Sequence, residues 1–245
     1  MTLPFITAHT GCMNTPDNSV ESLELGLRSG ADIVEVDIGA TKDGVAVLLH
    51  DSEVHLASRG VCKLSELTFE ELQSDEIIDK HDGRKSRIVS LAEILPIVKA
   101  SGKRVNLDLK SDACIEPMAK LVLAENMLDQ AFLSGTEAAR AAYIQKHHPE
   151  IRKVLNANSA LFKETDYMSA VKQTIEEALA ASCIGININY KLCRAELVEA
   201  AQSVQLPVYV WTVNDEEEIK RMIGLGVRSI TTRDVPAVIR AFQSY

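Results

Sequence analysis

Asp32-Ile33-Val34-Glu35-Val36-Asp37-Ile38-Gly39-Ala40, then Thr41-Lys42-Asp43-Gly44, then Val45-Ala46-Val47-Leu48-Leu49-His50 is the stretch from which the fold is read. Apolar, mostly β-branched residues alternate with two acids, which predicts a strand with Glu35 and Asp37 side by side on one face. Asp43-Gly44 is a strong signal for a tight hairpin, so the run Val45–Leu49 returns His50 to the neighbourhood of that strand. Two carboxylates on an otherwise apolar strand are costly to bury unless something neutralises them. A bound divalent cation would do so, with histidines nearby to move protons.

Outward from this stretch, short apolar runs alternate with amphipathic ones from end to end. Strands are expected at Leu3–His9, Asp32–Ala40, Arg104–Lys110, Gln130–Ser134, Lys153–Asn156, Ile184–Asn189, Val208–Thr212 and Arg228–Thr231. Helices are expected at Ser19–Ser29, Leu91–Ala100, Glu116–Glu125, Glu137–His147, Asp166–Ala181, Arg194–Ser203, Glu216–Ile223 and Val235–Phe242. Strand and helix in regular alternation, with no Gly-x-Gly-x-x-Gly turn, favour an α/β fold of the TIM (β/α)8 barrel type over a doubly wound sheet. Residues 51–90 carry mixed charge and a helical hint at Leu64–Gln73; they read as a small insertion after the second strand, a loop excursion over one barrel mouth. A chain of 245 residues then forms one domain, 1–245.

Composition narrows the function. A net charge of −9 and the lack of any Lys/Arg block argue against nucleic-acid binding. The acidic balance still permits a phosphate-bearing ligand, because a local cation can reverse the field in one pocket. Cysteines 12, 62, 114, 183 and 193 show no Cys-x-x-Cys spacing and read as reduced thiols of a cytoplasmic protein. No window approaches eighteen apolar residues, so stable membrane insertion is not expected.

The barrel reading gives the polar residues a location, since active sites in this fold sit at the C-terminal strand ends. His9, Glu35, Asp37, Asp108, Lys110, Asn189 and Trp211 all fall late in, or at the end of, an expected strand. Glu35, Asp37 and Asp108 make an all-oxygen ligand set suited to Mg2+ or Ca2+. Lys110 is a point charge for a phosphate. His9 and His50 suit general base and general acid roles. These parts together suggest metal-assisted cleavage of a phosphate ester. His55, His81, His147 and His148 lie in loop or helix-end contexts and read as solvated.

The ordered set Ala8-His9-Thr10-Gly11, Pro16-Asp17-Asn18-Ser19, Gly30-Ala31-Asp32, Glu35-x-Asp37, Thr41-Lys42-Asp43-Gly44 and His50-Asp51 resembles the opening of glycerophosphodiester phosphodiesterases. The likeness continues through Asn106–Lys110, Val210–Asn214 and Thr231-Thr232-Arg233-Asp234, and so spans the chain. It implies a TIM barrel that hydrolyses glycerophosphodiesters to glycerol 3-phosphate and an alcohol. It implies His9 and His50 as base and acid, Glu35, Asp37 and Asp108 on the metal, Lys110 on phosphate and Trp211 along the glycerol pocket. Thr10 and Asn189 complete the expected substrate contacts. The expected partner is a small phosphodiester, with self-association left open. A phospholipase D-like relative and a barrel that binds such a ligand without turnover are the alternatives.

Three positions depart from the family pattern. Thr10 stands where the family has Arg, Asp17 where it has Glu, and Asp108 where it usually has Glu. The first two together predict that a supporting ion pair is lost and the grip on phosphate weakened or retuned.

Overall fold

The computed structural model of the protein describes residues 2–80 and 83–243. The chain opens with β1 (Phe5–Ala8) and α1 (Val20–Arg28), whose first turn is capped by the Ser19 side chain accepting from Ser22 N. β2 (Ile33–Ala40) turns back at Gly44, which has φ +76°, into the antiparallel β3 (Ala46–Leu48), pairing Ile38 with Leu48. The hairpin expected from Asp43-Gly44 therefore forms, and β3 ends two residues before His50.

The insertion follows as β4 (Glu53–Leu56), β5 (Gly60–Lys63), α2 (Phe69–Gln73), β6 (Ile77–Ile78) and β7 (Lys85–Ser86). α3 (Leu91–Ser101) returns the chain to the barrel, and β8 (Arg104–Leu109), α4 (Ile115–Ala124), β9 (Ala131–Ser134) and α5 (Ala138–His147) continue it. Then come β10 (Leu155–Asn156), the short α6 (Leu161–Glu164), α7 (Tyr167–Ala180), β11 (Ile186–Asn189) and α8 (Ala195–Ser203). β12 (Val208–Trp211), α9 (Glu216–Leu225), β13 (Ser229–Thr232) and α10 (Val235–Phe242) close the chain.

The barrel strands run parallel in the order β10-β11-β12-β13-β1-β2-β8-β9. β9 meets the segment before β10 through Leu133 N to Arg152 O and Val154 N to Leu133 O, both 2.9 Å, so the ring nearly closes. This is the TIM barrel that the strand and helix alternation predicts. Side chains facing out from the strands meet the helices in one large core containing Val34, Val36, Ile38, Leu107, Leu109, Leu133, Ile188 and Val210. Inside the ring, Ile33, Phe132 and Val154 pack with Phe5 and Tyr209 into an apolar plug at the strand starts. Strand alternation then puts Glu35, Ser134, Asn156 and Trp211, each two residues further on, in the layer above that plug. The sequence thus places apolar residues low in the barrel and polar ones at the mouth.

The insertion is more ordered than a loop excursion. β5-β4-β6-β7 form a small antiparallel sheet over a separate apolar cluster of Val47, Val54, Leu56, Leu64, Leu67, Leu72 and Ile88. Strands of two to four residues carry too little period-2 signal to be seen in sequence. The cluster is tied to the β2–β3 hairpin by Lys42 N to Leu67 O, 2.8 Å, and Phe69 N to Asp43 Oδ1, 3.0 Å.

A reciprocal cap starts α2: Glu71 N donates to Thr68 Oγ1, and Thr68 N donates back to Glu71 Oε2. That backbone donor, with Arg59 at 3.0 Å, holds the Glu71 carboxyl down at about 2. A depressed carboxyl stabilises the fold above its unfolded value near 4.5 and loses that contribution as pH falls through about 2. Circular dichroism followed by acid titration is expected to show the insertion losing structure in that window. Glu71→Gln should weaken the pH dependence in that window, leaving the part due to Asp43, Asp51 and Asp75, and be less stable than the parent at neutral pH.

Candidate active site

Every strand of the barrel delivers a residue to one cavity of about 610 Å3 at the C-terminal mouth. His9 follows β1, Glu35 and Asp37 lie on β2, and Asn106 and Asp108 lie on β8, with Lys110 just after. Ser134, Asn156, Asn187, Trp211 and Thr231 come from β9 to β13, and His50 reaches in from the end of β3. The expected set His9, Glu35, Asp37, His50, Asp108, Lys110 and Trp211 is therefore brought together.

The parallel register places Glu35 opposite Asn106 and Asp37 opposite Asp108. One oxygen each of Glu35, Asp37 and Asp108 lies within 4.8 Å of the other two. Burial, then the charges of Asp37 and Asp108, push the Glu35 carboxyl well above the usual carboxylate range. Lys110 Nζ lies 2.8 Å from Asp37 Oδ1 and also contacts Asp108. Burial alone would lower the Lys110 ammonium, but those two acids outweigh it and hold it charged. One lysine against three carboxylates leaves an excess of negative charge. The donor set is all oxygen, with no thiolate or imidazole in it, and so fits a hard divalent cation.

The acids are held from behind. Asn18 donates through Nδ2 to Asp37 Oδ2 at 2.9 Å and accepts from Asp37 N at 3.0 Å. Ser134 Oγ donates to Asp108 Oδ1 at 2.6 Å, and Thr10 N donates to Glu35 Oε2 at 3.1 Å.

The two histidines are oriented differently. His9 Nδ1 lies 2.7 Å from the Thr10 carbonyl, which can only accept, so Nδ1 carries the proton and Nε2 the lone pair. Burial lowers the His9 imidazole below its ordinary value and Arg233 adds to this, while the Thr10 carbonyl and Asp37 oppose it. A neutral ring at neutral pH follows. His50 is mostly exposed, and its Nδ1 lies 2.7 Å from Asp51 Oδ1; Asp51 in turn contacts Lys80. Of the remaining histidines, His148 bonds Glu116 at 3.0 Å, His147 stacks on Tyr143, and His81 lies outside the described residues.

Two residues expected as substrate contacts, Thr10 and Asn189, do not line the cavity. Thr10 is only 3% exposed and does not line the cavity; its hydroxyl accepts from Asn18 N at 2.5 Å and so supports the residue that supports Asp37. Asn189 is absent from the lining because its side chain turns to cap the next turn, accepting from Lys191 N at 3.0 Å. Asn187, two residues earlier on the same strand face, takes that place. Sequence reading also missed Asn106, Ser134, Asn156 and Arg140. The signal was present for Asn106, which shares the i, i+2 face of Asp108. Asn106 Oδ1 and Trp211 Nε1 are buried with no hydrogen-bond partner among the described residues. An unpaired acceptor and an unpaired donor in one cavity wall are what a polar ligand would satisfy.

Gly135 fixes the distance between two of these strands. It has φ +68°, and a Cβ there would overlap Leu109 O and lie 2.7 Å from Leu109 N and 2.9 Å from Asp108 Oδ1. Gly135→Ala is expected to cost about 1–3 kcal/mol in urea unfolding. Gly44→Ala, also at positive φ but with nothing within 4 Å, should cost less. Equal losses would show that the close approach at Gly135 does not matter.

Comparison with known proteins agrees with this arrangement. The sequence profile of the glycerophosphoryl diester phosphodiesterase family matches residues 9–237. A glycerophosphodiester phosphodiesterase of Caldanaerobacter subterraneus subsp. tengcongensis is 26% identical over 243 residues, covering 96% of each chain. One from Arabidopsis thaliana is 27% identical, covering 94% of this chain and 71% of its own. A glycerophosphoryl diester phosphodiesterase structure from Silicibacter pomeroyi superposes with a TM-score of 0.87 at 20% identity, covering 99% of this chain and 94% of that one. An Oleispira antarctica phosphodiesterase, solved with its product sn-glycerol 3-phosphate, gives a TM-score of 0.73 at 21% identity, covering 98% of this chain and 97% of that one. With a family profile spanning nearly the whole barrel and every strand of that barrel feeding one acid- and histidine-lined cavity, the chain belongs to the glycerophosphoryl diester phosphodiesterase family.

Proposed function

We propose that the protein is a divalent-cation-dependent hydrolase of glycerophosphodiesters, releasing glycerol 3-phosphate and an alcohol. The observation that carries this reading is the joint opening of the three-acid cluster and both histidines into one cavity whose wall keeps a free donor and a free acceptor. Glu35, Asp37 and Asp108 would hold the cation, Mg2+ or Ca2+, which when bound supplies Lewis-acid polarisation of a phosphoryl oxygen. His9, neutral and with Nε2 as its lone-pair nitrogen, takes the proton from the attacking oxygen as base; that oxygen belongs to water, or to the substrate's own glycerol hydroxyl, in which case water then opens the cyclic phosphate to glycerol 3-phosphate. His50, with Nδ1–H held by Asp51, serves as acid in its doubly protonated form and gives its Nε2–H to the leaving alkoxide. Lys110 adds an ammonium beside the acids to offset charge on the phosphoryl group. Trp211 and Asn106 offer an indole N–H and an amide oxygen to the hydroxyls of a glycerol moiety.

The test is release of glycerol 3-phosphate from glycerophosphocholine and glycerophosphoethanolamine, with Mg2+, with Ca2+ and after chelation. Turnover that needs one of the cations is expected. His9→Ala and His50→Ala should each lower kcat by about 10²–10⁴-fold, with thermal stability retained. Absence of turnover with any cation, alongside measurable binding of the diesters, would replace the enzyme reading with that of a binding barrel. Unchanged kcat in either histidine variant would remove that residue from the acid–base pair.

For the cluster itself, Glu35→Gln is expected to weaken cation affinity at least tenfold by calorimetry. Affinity equal to the parent would place the cation elsewhere.

A further inference from the structure

Asp51 differs from the acids around it in how it is held. Asp37 is fixed by Asn18 at two points, Asp108 by Ser134, and Glu35 by the backbone N–H of Thr10. Asp43 and Asp75 likewise accept from backbone, from Phe69 N at 3.0 Å and Glu76 N at 2.8 Å. Asp51 accepts from no backbone N–H among the described residues. Its partners there are two side chains, His50 Nδ1 on Oδ1 at 2.7 Å and Lys80 Nζ on Oδ2. Each carboxylate oxygen thus has one partner, and Lys80 is the one that can orient the carboxylate for the histidine.

Lys80 comes from the insertion, 29 residues further along the chain, and backbone sets its place. β6 pairs with β4 at Ile77 and Leu56, and with β7 at Ile77 and Ser86. Ala57 N donates to Glu76 O and Asp79 N to Arg84 O, both at 2.8 Å, so the backbone just before Lys80 is held. Arg84 Nη1 in turn donates to Asn14 O at 3.2 Å, tying this part of the insertion to the loop after β1. On the barrel side, Leu49 N donates to Asp37 O at 3.1 Å and Leu64 N to Ser52 O at 2.9 Å, fixing the peptides that flank His50 and Asp51. A continuous line of contacts therefore runs from the small sheet through Lys80 and Asp51 to His50, which lines the catalytic cavity.

Lys80, then His50, hold the Asp51 carboxyl below its ordinary value and outweigh its burial, so it is ionised and can only accept. An ionised Oδ1 at 2.7 Å puts a proton on Nδ1 and leaves Nε2 to face the substrate. The side chains of His50 and Lys80 are 65% and 61% exposed, and a surface ion pair of that kind adds little to folding stability. Its effect is on orientation. Without Lys80, Asp51 would be held at one oxygen only, by the very ring that it has to orient.

We propose that Lys80 is a positioning residue for the general acid: by holding Asp51 it fixes the Nδ1–H tautomer and the direction of His50, so that the insertion sets the acid that releases the alcohol. In that step the bond from phosphorus to the alcohol oxygen breaks and its electron pair stays on the oxygen. That oxygen takes the Nε2 proton of doubly protonated His50, and the neutral ring left behind keeps its Nδ1–H on Asp51. The role rests on the phosphodiesterase reading, but the tautomer of His50 can be read without turnover.

The experiment compares the parent with Lys80→Met and with Lys85→Met as a control. Lys85→Met removes the Lys85–Glu76 pair, 2.7 Å, from the same small sheet without touching Asp51. Nitrogen-15 NMR of the histidine-labelled chain, at a pH where His50 is neutral, reads the tautomer, with His50→Ala identifying the resonances. Kinetics are run on glycerophosphocholine and on glycerol 3-(4-nitrophenyl phosphate), whose phenoxide leaves without being protonated. The parent and Lys85→Met are expected to hold His50 as the Nδ1–H tautomer, and Lys80→Met to show a mixture of tautomers with Tm near that of the parent. In Lys80→Met, kcat on glycerophosphocholine should fall about tenfold with little change in KM, while kcat on the nitrophenyl ester stays near that of the parent. An undiminished Nδ1–H tautomer in Lys80→Met would overturn the proposal. So would a kcat on glycerophosphocholine within about twofold of the parent, an equal fall on both substrates, or an equal fall in Lys85→Met. A parent that hydrolyses neither diester would sink the hydrolase reading and leave the tautomer to decide this one. A parent that holds His50 as the Nε2–H tautomer would sink this one outright.

Discussion

Three carboxylates crowded at the mouth of a barrel are the constraint around which the rest is arranged. Each would prefer water, and burial with the neighbouring charges of Asp37 and Asp108 raises the cost of ionising Glu35. Glu35 and Asp37 are nearly inaccessible, and Asp108 stands directly opposite Asp37 across the β2–β8 ladder. The protein offsets this with an amide from Thr10, a two-point amide from Asn18, a hydroxyl from Ser134 and the ammonium of Lys110. Every one of these partners is itself fixed by a strand end or by the turn after β1. The acids are therefore rigid, close together and under-neutralised, which suits a cation site better than a structural ion pair.

Much of this is legible in the sequence because barrel strands obey period 2. Glu35, Asp37 and Asp108 interrupt apolar runs at positions that share a face, and the register of a parallel barrel can only bring them to the same mouth. The apolar plug below them follows from the same parity, since Ile33 and Phe132 precede Glu35 and Ser134 by two residues. Asn106, Asn156 and Asn187 obey it equally, but a single asparagine in a short strand carries no charge to draw notice.

What was illegible belongs to strand ends, where the side chain no longer follows the pleat. Thr10 and Asn189 both stand at such ends, and each spends its side chain on local backbone: Thr10 on Asn18 N, Asn189 on Lys191 N. The insertion was underread for a different reason. Its strands are too short to show a pattern, and its stability comes from Leu56, Leu64 and Leu72 meeting Val47 of the hairpin across the sequence. Contrary to the expectation from Thr10, Asp17 keeps an ion pair, with Arg233 at 2.7 and 3.1 Å. Arg233 was hidden by distance, because 216 residues separate it from Asp17 and only closure of the barrel brings them together.

The central claim is that the acid cluster is a cation site at which a phosphoryl group is held. The most direct test is a crystal structure of the protein grown with Mn2+ and glycerol 3-phosphate, with anomalous scattering recorded for the metal. The account predicts an anomalous peak bounded by Glu35, Asp37 and Asp108, with the phosphoryl group beside it. No peak there, or a phosphoryl group bound away from that cluster, would contradict it.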